Sequence, residues 1–157
     1  MKKRLISLLV ALCMAVTLLP VSALTAWAEG GGQLKIVDGY PVGSGKNHDE
    51  DCSGDGWSYD GATLDLHPAS PTDYDFSKLI SGRGNVLACA LKIGEKATIT
   101  DGRFINNITN SGTITGGVFQ PLSSQSLTFE NSGIITGGEF LSTLGPLYFT
   151  NNISGTI

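Results

Sequence analysis

The sequence predicts an all-β protein: a short right-handed parallel β-solenoid with an N-terminal strand/hairpin cap. Three observations predict it. A segment with Ile and Phe at fixed places occurs three times, as Ile99 to Phe104, Ile114 to Phe119 and Ile135 to Phe140. Gly-Gly pairs, Gly116-Gly117 and Gly137-Gly138, stand inside the second and third copies. Upstream, Asp60-Gly61 separates two stretches, Trp57-Ser58-Tyr59 and Thr63-Leu64-Asp65-Leu66, that alternate polar with apolar residues.

The repeat carries most of the argument. Ile99, Ile114, Ile135 and Ile157 are spaced 15, 21 and 22 residues apart, and the last two spacings suit one coil of a stacked-repeat protein. One coil alone cannot bury its Ile and Phe, whereas stacked coils bury each against the next. The Gly-Gly pairs supply a corner where a side chain would clash. Asn110 and Asn131 precede the isoleucines in the same register, so stacking brings their amides together as a hydrogen-bonded ladder. Thr156-Ile157 opens a fourth copy without a visible polar cap. That points to a fragment of a longer protein, or to end-to-end self-association through the last coil.

The cap region reads less regularly. Leu34 to Val37 suits a short strand stopped by Asp38-Gly39. Gly43 to Gly56 and Pro68 to Asp75 read as loops from their Gly, Ser, Pro and Asp content. Asp60-Gly61 accepts the positive φ of a tight hairpin turn. Asn85 to Ile93 is apolar and suits a strand or a short helix.

The N-terminus is an export leader. Lys2, Lys3 and Arg4 precede a run from Leu5 to Leu19 that is apolar apart from Ser7 and Thr17. Pro20 and then Ala26-Trp27-Ala28 follow, which places cleavage between Ala28 and Glu29. The run is shorter than the roughly 20 residues of a spanning helix. Leu12 before Cys13 is too bulky for a lipoprotein site. The expected organisation is a signal peptide at 1–28, a cap region at 29–84 and repeats at 85–157. The expected location is secreted or on the cell surface. Beyond the leader the chain has seven basic and fourteen acidic residues. Such an acidic balance argues against nucleic acid and anionic lipid as partners.

Candidate chemistry is sparse. Trp57 and Tyr59 alternate on one strand and share a face; they form either a platform for a sugar ring or an apolar plug over the first coil. Asp49, Asp51, Ser53, Asp55 and Asp60, with Gly54 among them, have part of the spacing of a calcium loop; a solvated acidic loop is the alternative. No other cofactor is implied. Cys52 and Cys89 remain after leader cleavage and are either a disulfide pair or two free thiols. Aligning the repeats puts Arg103, Val118 and Glu139 in one column. At about 4.8 Å per coil, Arg103 and Glu139 would lie about 10 Å apart, and Asp101 has no acidic partner in its own column. Glycoside hydrolysis needs two carboxyls facing one bond, so no catalytic residue is assigned. His48 and His67 lie in no recognisable motif.

The repeat Asn-Ser-Gly-x-Ile-Thr-Gly-Gly-x-Phe resembles the β-helix repeats of large secreted adhesin-like proteins of gut bacteria, a pectate-lyase-like architecture. The stretch Gly54 to Leu66 resembles the opening hairpin of such proteins, which is often labelled carbohydrate-binding. The resemblance implies a non-enzymatic binding or adhesion module that meets an extracellular glycan or a host or cell-wall surface. It equally admits a degenerate polysaccharide lyase or an inert stalk. Mass spectrometry of the exported protein is expected to find a chain beginning at Glu29; a chain still carrying Met1 would make the leader an anchor instead.

Overall fold

In the computed structural model the described residues are 33–122, 125–152 and 155–157; the expected leader and its expected cleavage site lie outside them. The described chain is built of short strands, one α-helical turn, α1 (Phe76–Leu79), and one 3-10 turn (Arg83–Asn85). β1 (Ile36–Val37) and β2 (Tyr40–Pro41) pair antiparallel. Asp38 and Gly39 between them both take positive φ, 53° and 95°, as a tight hairpin requires. β1 also pairs in parallel with β7 (Ile80–Ser81).

β3 (Asp51–Gly54), β4 (Trp57–Asp60) and β5 (Thr63–Leu66) form an antiparallel meander. From β5 onward the pairing is parallel. β5 is followed in its sheet by β8 (Ala90–Ile93), β11 (Ile108–Asn110), β14 (Leu127–Asn131) and β17 (Leu147–Asn151). A second sheet stacks β6 (Thr72–Asp75), β9 (Ala97–Asp101), β12 (Thr113–Ile114) and β15 (Ile134–Ile135). A third stacks β10 (Arg103–Phe104), β13 (Val118–Phe119) and β16 (Glu139–Phe140). From β8 the chain visits the three sheets in the same order on every circuit, so each circuit is one rung.

Parallel pairing is already present before residue 85, at β1 with β7 and at β5 with β8. Two stretches read as loops also contain strands. β3 lies within Gly43 to Gly56 and β6 within Pro68 to Asp75. Both are rich in residues that disfavour strands on their own; pairing with β4 and β9 holds them. Asn85 to Ile93 contains a strand, β8, whose Leu91 and Ile93 point inward.

The register puts like on like. Leu64, Leu91, Ile108, Phe129 and Phe149 form one inward column. Tyr74, Ile99, Ile114 and Ile135 form a second. Phe104, Phe119 and Phe140 form a third, their rings stacked at 4.9 and 4.8 Å. The corner before each phenylalanine needs glycine. Gly117 and Gly138 hold φ of 107° and 105°, where a side chain is strained.

One column turns polar inside the core. Leu66 and Ile93 are followed in register by Asn110, Asn131 and Asn151. Asn110 and Asn131 are fully buried. Asn110 Nδ2 donates to Asn131 Oδ1 at 2.7 Å, and Asn131 Nδ2 donates to Asn151 Oδ1 at 2.7 Å. The amide hydrogens of Gly112 and Gly133 donate to Oδ1 of the asparagine on the same rung. Among the described residues no buried side-chain nitrogen or oxygen lacks a partner. Asn131→Ala strands the donor of Asn110 and opens a void, so it is expected to cost about 2–4 kcal/mol in urea unfolding. Thr109→Ala, on the outward face, should stay within about 0.5 kcal/mol. Equal losses at the two positions would contradict the ladder's role.

Candidate functional site

β4 carries Trp57 and Tyr59, the pair expected to form either a sugar platform or an apolar plug, and it turns both inward. Trp57 is 4% exposed and Tyr59 3%. Trp57 lies opposite Leu66, and Tyr59 opposite Leu64. The Tyr59 hydroxyl donates to the His48 carbonyl at 2.8 Å. Neither ring offers a face to solvent. They plug the first rung, because the inward side of β5 already carries Leu64 and Leu66 and period two places Trp57 and Tyr59 on that side.

The residues considered for calcium are spread along a hairpin. Asp51 and Ser53 lie on β3, opposite Asp60 and Ser58 of β4. Asp55 sits at the far turn, and Asp49 precedes the strand. An extended strand cannot wrap its side chains round one ion as a calcium loop does. The Asp60 carboxylate is already engaged, accepting from the amides of Thr63 at 2.7 Å and Ala62 at 3.0 Å. Those bonds hold its pKa below the usual carboxylate value. Among the described residues, no group of three or more His, Cys, Asp or Glu is placed to hold a metal ion.

Cys52 and Cys89 are free thiols, the first half-buried and the second buried. Burial pushes the Cys89 thiol up to about 12 and the Tyr59 phenol up to about 12. Burial, with help from Asp51, also raises Cys52. His48 stacks on Tyr40 with ring centroids 4.2 Å apart, and its Nδ1 lies 3.3 Å from Ser44 Oγ. His67 stands 3.9 Å from Asp65.

Arg103, Val118 and Glu139 occupy one outward column. Val118 therefore separates the base from the acid by a full rung on each side. Arg103 instead donates to Gln120 Oε1 at 3.1 Å, and Gln120 donates to Thr143 Oγ1 at 2.8 Å. Asp101 accepts the amide of Gly102 at 2.7 Å. Arg103 and Asp101 are thus tied to local partners.

Sequence reasoning missed a different surface, the outward face of the β5–β17 sheet. Asp65, Lys92, Thr109, Glu130 and Thr150 form one column there, with Lys92 donating to Asp65 at 2.7 Å. Beside it Thr128 lies opposite Tyr148, and the Thr128 amide donates to Asn107 Oδ1 at 2.9 Å. Tyr148 is 59% exposed. The signal was present in the sequence: Leu147-Tyr148-Phe149-Thr150 alternates, so Tyr148 faces opposite to the buried column of Phe129. This face combines an aromatic ring with ranked hydroxyls and amides, a set that can stack on and hydrogen-bond a sugar. Comparison with family models, with curated proteins and with solved structures finds no match.

The buried thiol and phenol tie stability to alkaline pH. Both groups stay protonated in the fold at pH values where an unfolded chain ionises them, from their ordinary values of 9.0 and 10.0. Their stabilising contribution is complete below pH 9 and is lost as pH rises towards 12. Urea midpoints should therefore fall steadily from pH 9 upward, and less steeply in Cys89→Ala. An unchanged slope in that variant would rule out the thiol as a cause. A thiol reagent at neutral pH should label Cys52 before Cys89.

Proposed function

We propose that this chain is an exported, non-enzymatic module built as a right-handed parallel β-solenoid, and that it holds an extracellular glycan on the outward face of its largest sheet. The observation that carries this reading is the exposed Tyr148 set among ranked Asn107, Thr109, Thr128 and Thr150. The ring offers a stacking surface and the ranked groups offer hydrogen bonds to hydroxyls. A sheet of seven strands presents these groups with little ordering cost on binding.

Three further features support the reading. The sheets are visited in a constant order, as in a solenoid. The leader suits export. The repeat resembles those of secreted adhesin-like β-helix proteins. The lyase alternative loses support because Arg103 is engaged by Gln120 and separated from Glu139 by Val118.

The test is retention of the full chain on a panel of plant and mucin polysaccharides, with ultraviolet absorbance followed for unsaturated lyase products. Retention without products is expected. Tyr148→Ala should weaken retention about tenfold while leaving the circular dichroism unchanged. Trp57→Ala should lower the melting temperature. Products would establish a lyase; no retention on any polymer would leave a stalk.

A further inference from the structure

Glu130 stands exposed in the middle of the outward face of the largest sheet. Among the described residues its carboxylate makes no ion pair and no side-chain hydrogen bond. β14 is paired on both sides, with β11 and with β17. In register Glu130 lies between Thr109 and Thr150, each about 4.8 Å away across the sheet. Its exposure is therefore a property of the face. Lys92 belongs to the same column but sits two strands away, about 10 Å. Asp65 holds Lys92 at 2.7 Å, so this cation neither neutralises Glu130 nor stands ready for an anion.

A bare carboxylate can only accept hydrogen bonds. Its neighbours Thr109, Thr128 and Thr150 bring hydroxyls, which both donate and accept. Asn107 Oδ1 is occupied by the Thr128 amide, which leaves that side chain its NH2 as a donor. A sugar hydroxyl can satisfy all of these groups. Hydrogen bonds to a charged acceptor are roughly twice as strong as neutral ones, so Glu130 dominates the set. Tyr148 lies on β17, diagonal to Glu130 because Glu130 is opposite Thr150. Long side chains reach across such a diagonal. A sugar resting on the Tyr148 ring carries its hydroxyls at its rim, where this carboxylate can take them. An anionic sugar meets the opposite situation. Asp51 and Asp60 lie opposite each other on β3 and β4 of the same sheet, both exposed, and together with Glu130 they repel a uronate or a sulfate.

We propose that Glu130 is the orienting acceptor of the glycan face, taking hydrogen bonds from neighbouring hydroxyls of an uncharged sugar, and that it sets the ligand class as neutral and not uronic or sulfated polysaccharide. The proposal rests on the glycan reading and adds to it a residue and a class of sugar.

The full chain is tested for retention on two neutral polymers, galactomannan and mixed-linkage β-glucan, and on two acidic ones, polygalacturonate and chondroitin sulfate. Retention on a neutral polymer, and weaker retention on both acidic ones, is expected. Glu130→Gln keeps the shape of the side chain and removes its charge; it should weaken retention on the neutral polymer about tenfold. Glu139→Gln makes the same change of net charge on a different sheet and should leave retention as in the wild type. Circular dichroism and urea midpoints should match the wild type in both variants, since both side chains are exposed. Preference of the wild type for an acidic polymer would overturn the proposal while leaving the glycan reading in place. Equal retention by the two variants would do the same, making Glu130 a solvated surface charge. Retention on none of the four polymers also overturns it, and the wider plant and mucin panel then decides the glycan reading.

Discussion

In-register stacking of identical inward positions is the constraint on which the rest depends. Each rung is too short to bury anything by itself, since β10, β12, β13, β15 and β16 have two residues each. Their isoleucines and phenylalanines leave water only because the rung before and the rung after present the same side chain at the same place. A slip of one residue would turn every inward side chain outward. The buried asparagine column sharpens the register, because Asn110, Asn131 and Asn151 satisfy one another only when level. An asparagine slipped against isoleucine would leave a buried amide without a partner, a penalty of about 1–3 kcal/mol.

That constraint consumes most of the molecule's distinctive chemistry. Trp57, Tyr59 and the stacked phenylalanines serve the core. Asp60 braces the β4–β5 turn. Arg103 braces one rung against the next through Gln120 and Thr143. The side chains left on the outward faces are mostly short polar ones, with the exposed Tyr148 among them.

The repeat was legible because it is written in side chains that recur at the stacking interval. Aligning Ile99, Ile114 and Ile135 also places Arg103, Val118 and Glu139 in one column, as the strand pairing does. The earlier rungs were not legible, because β6 has no copy of the repeat and β3 is composed like a loop. Both exist through pairing with later chain, a long-range effect that local composition does not carry. The direction of the hairpin aromatics was hidden for another reason. Alternation shows that Trp57 and Tyr59 share a face, but only packing against Leu64 and Leu66 decides which face it is. Tyr148 does not stand out in the repeat, because it lies on β17, Leu147 to Asn151, which carries a pattern different from the recurring Ile and Phe segments.

The most direct test of the stacking is a pair of double-mutant cycles on the isoleucine column. Ile99 and Ile114 lie on adjacent rungs, whereas Ile99 and Ile135 are separated by Ile114. Changing each to Val, singly and in pairs, and measuring urea unfolding gives the two coupling energies. The stacked register predicts a coupling of about 0.5 kcal/mol or more for Ile99 with Ile114. It predicts none beyond error for Ile99 with Ile135. Equal coupling in the two cycles, or a larger value for the distant pair, would contradict the order of the rungs.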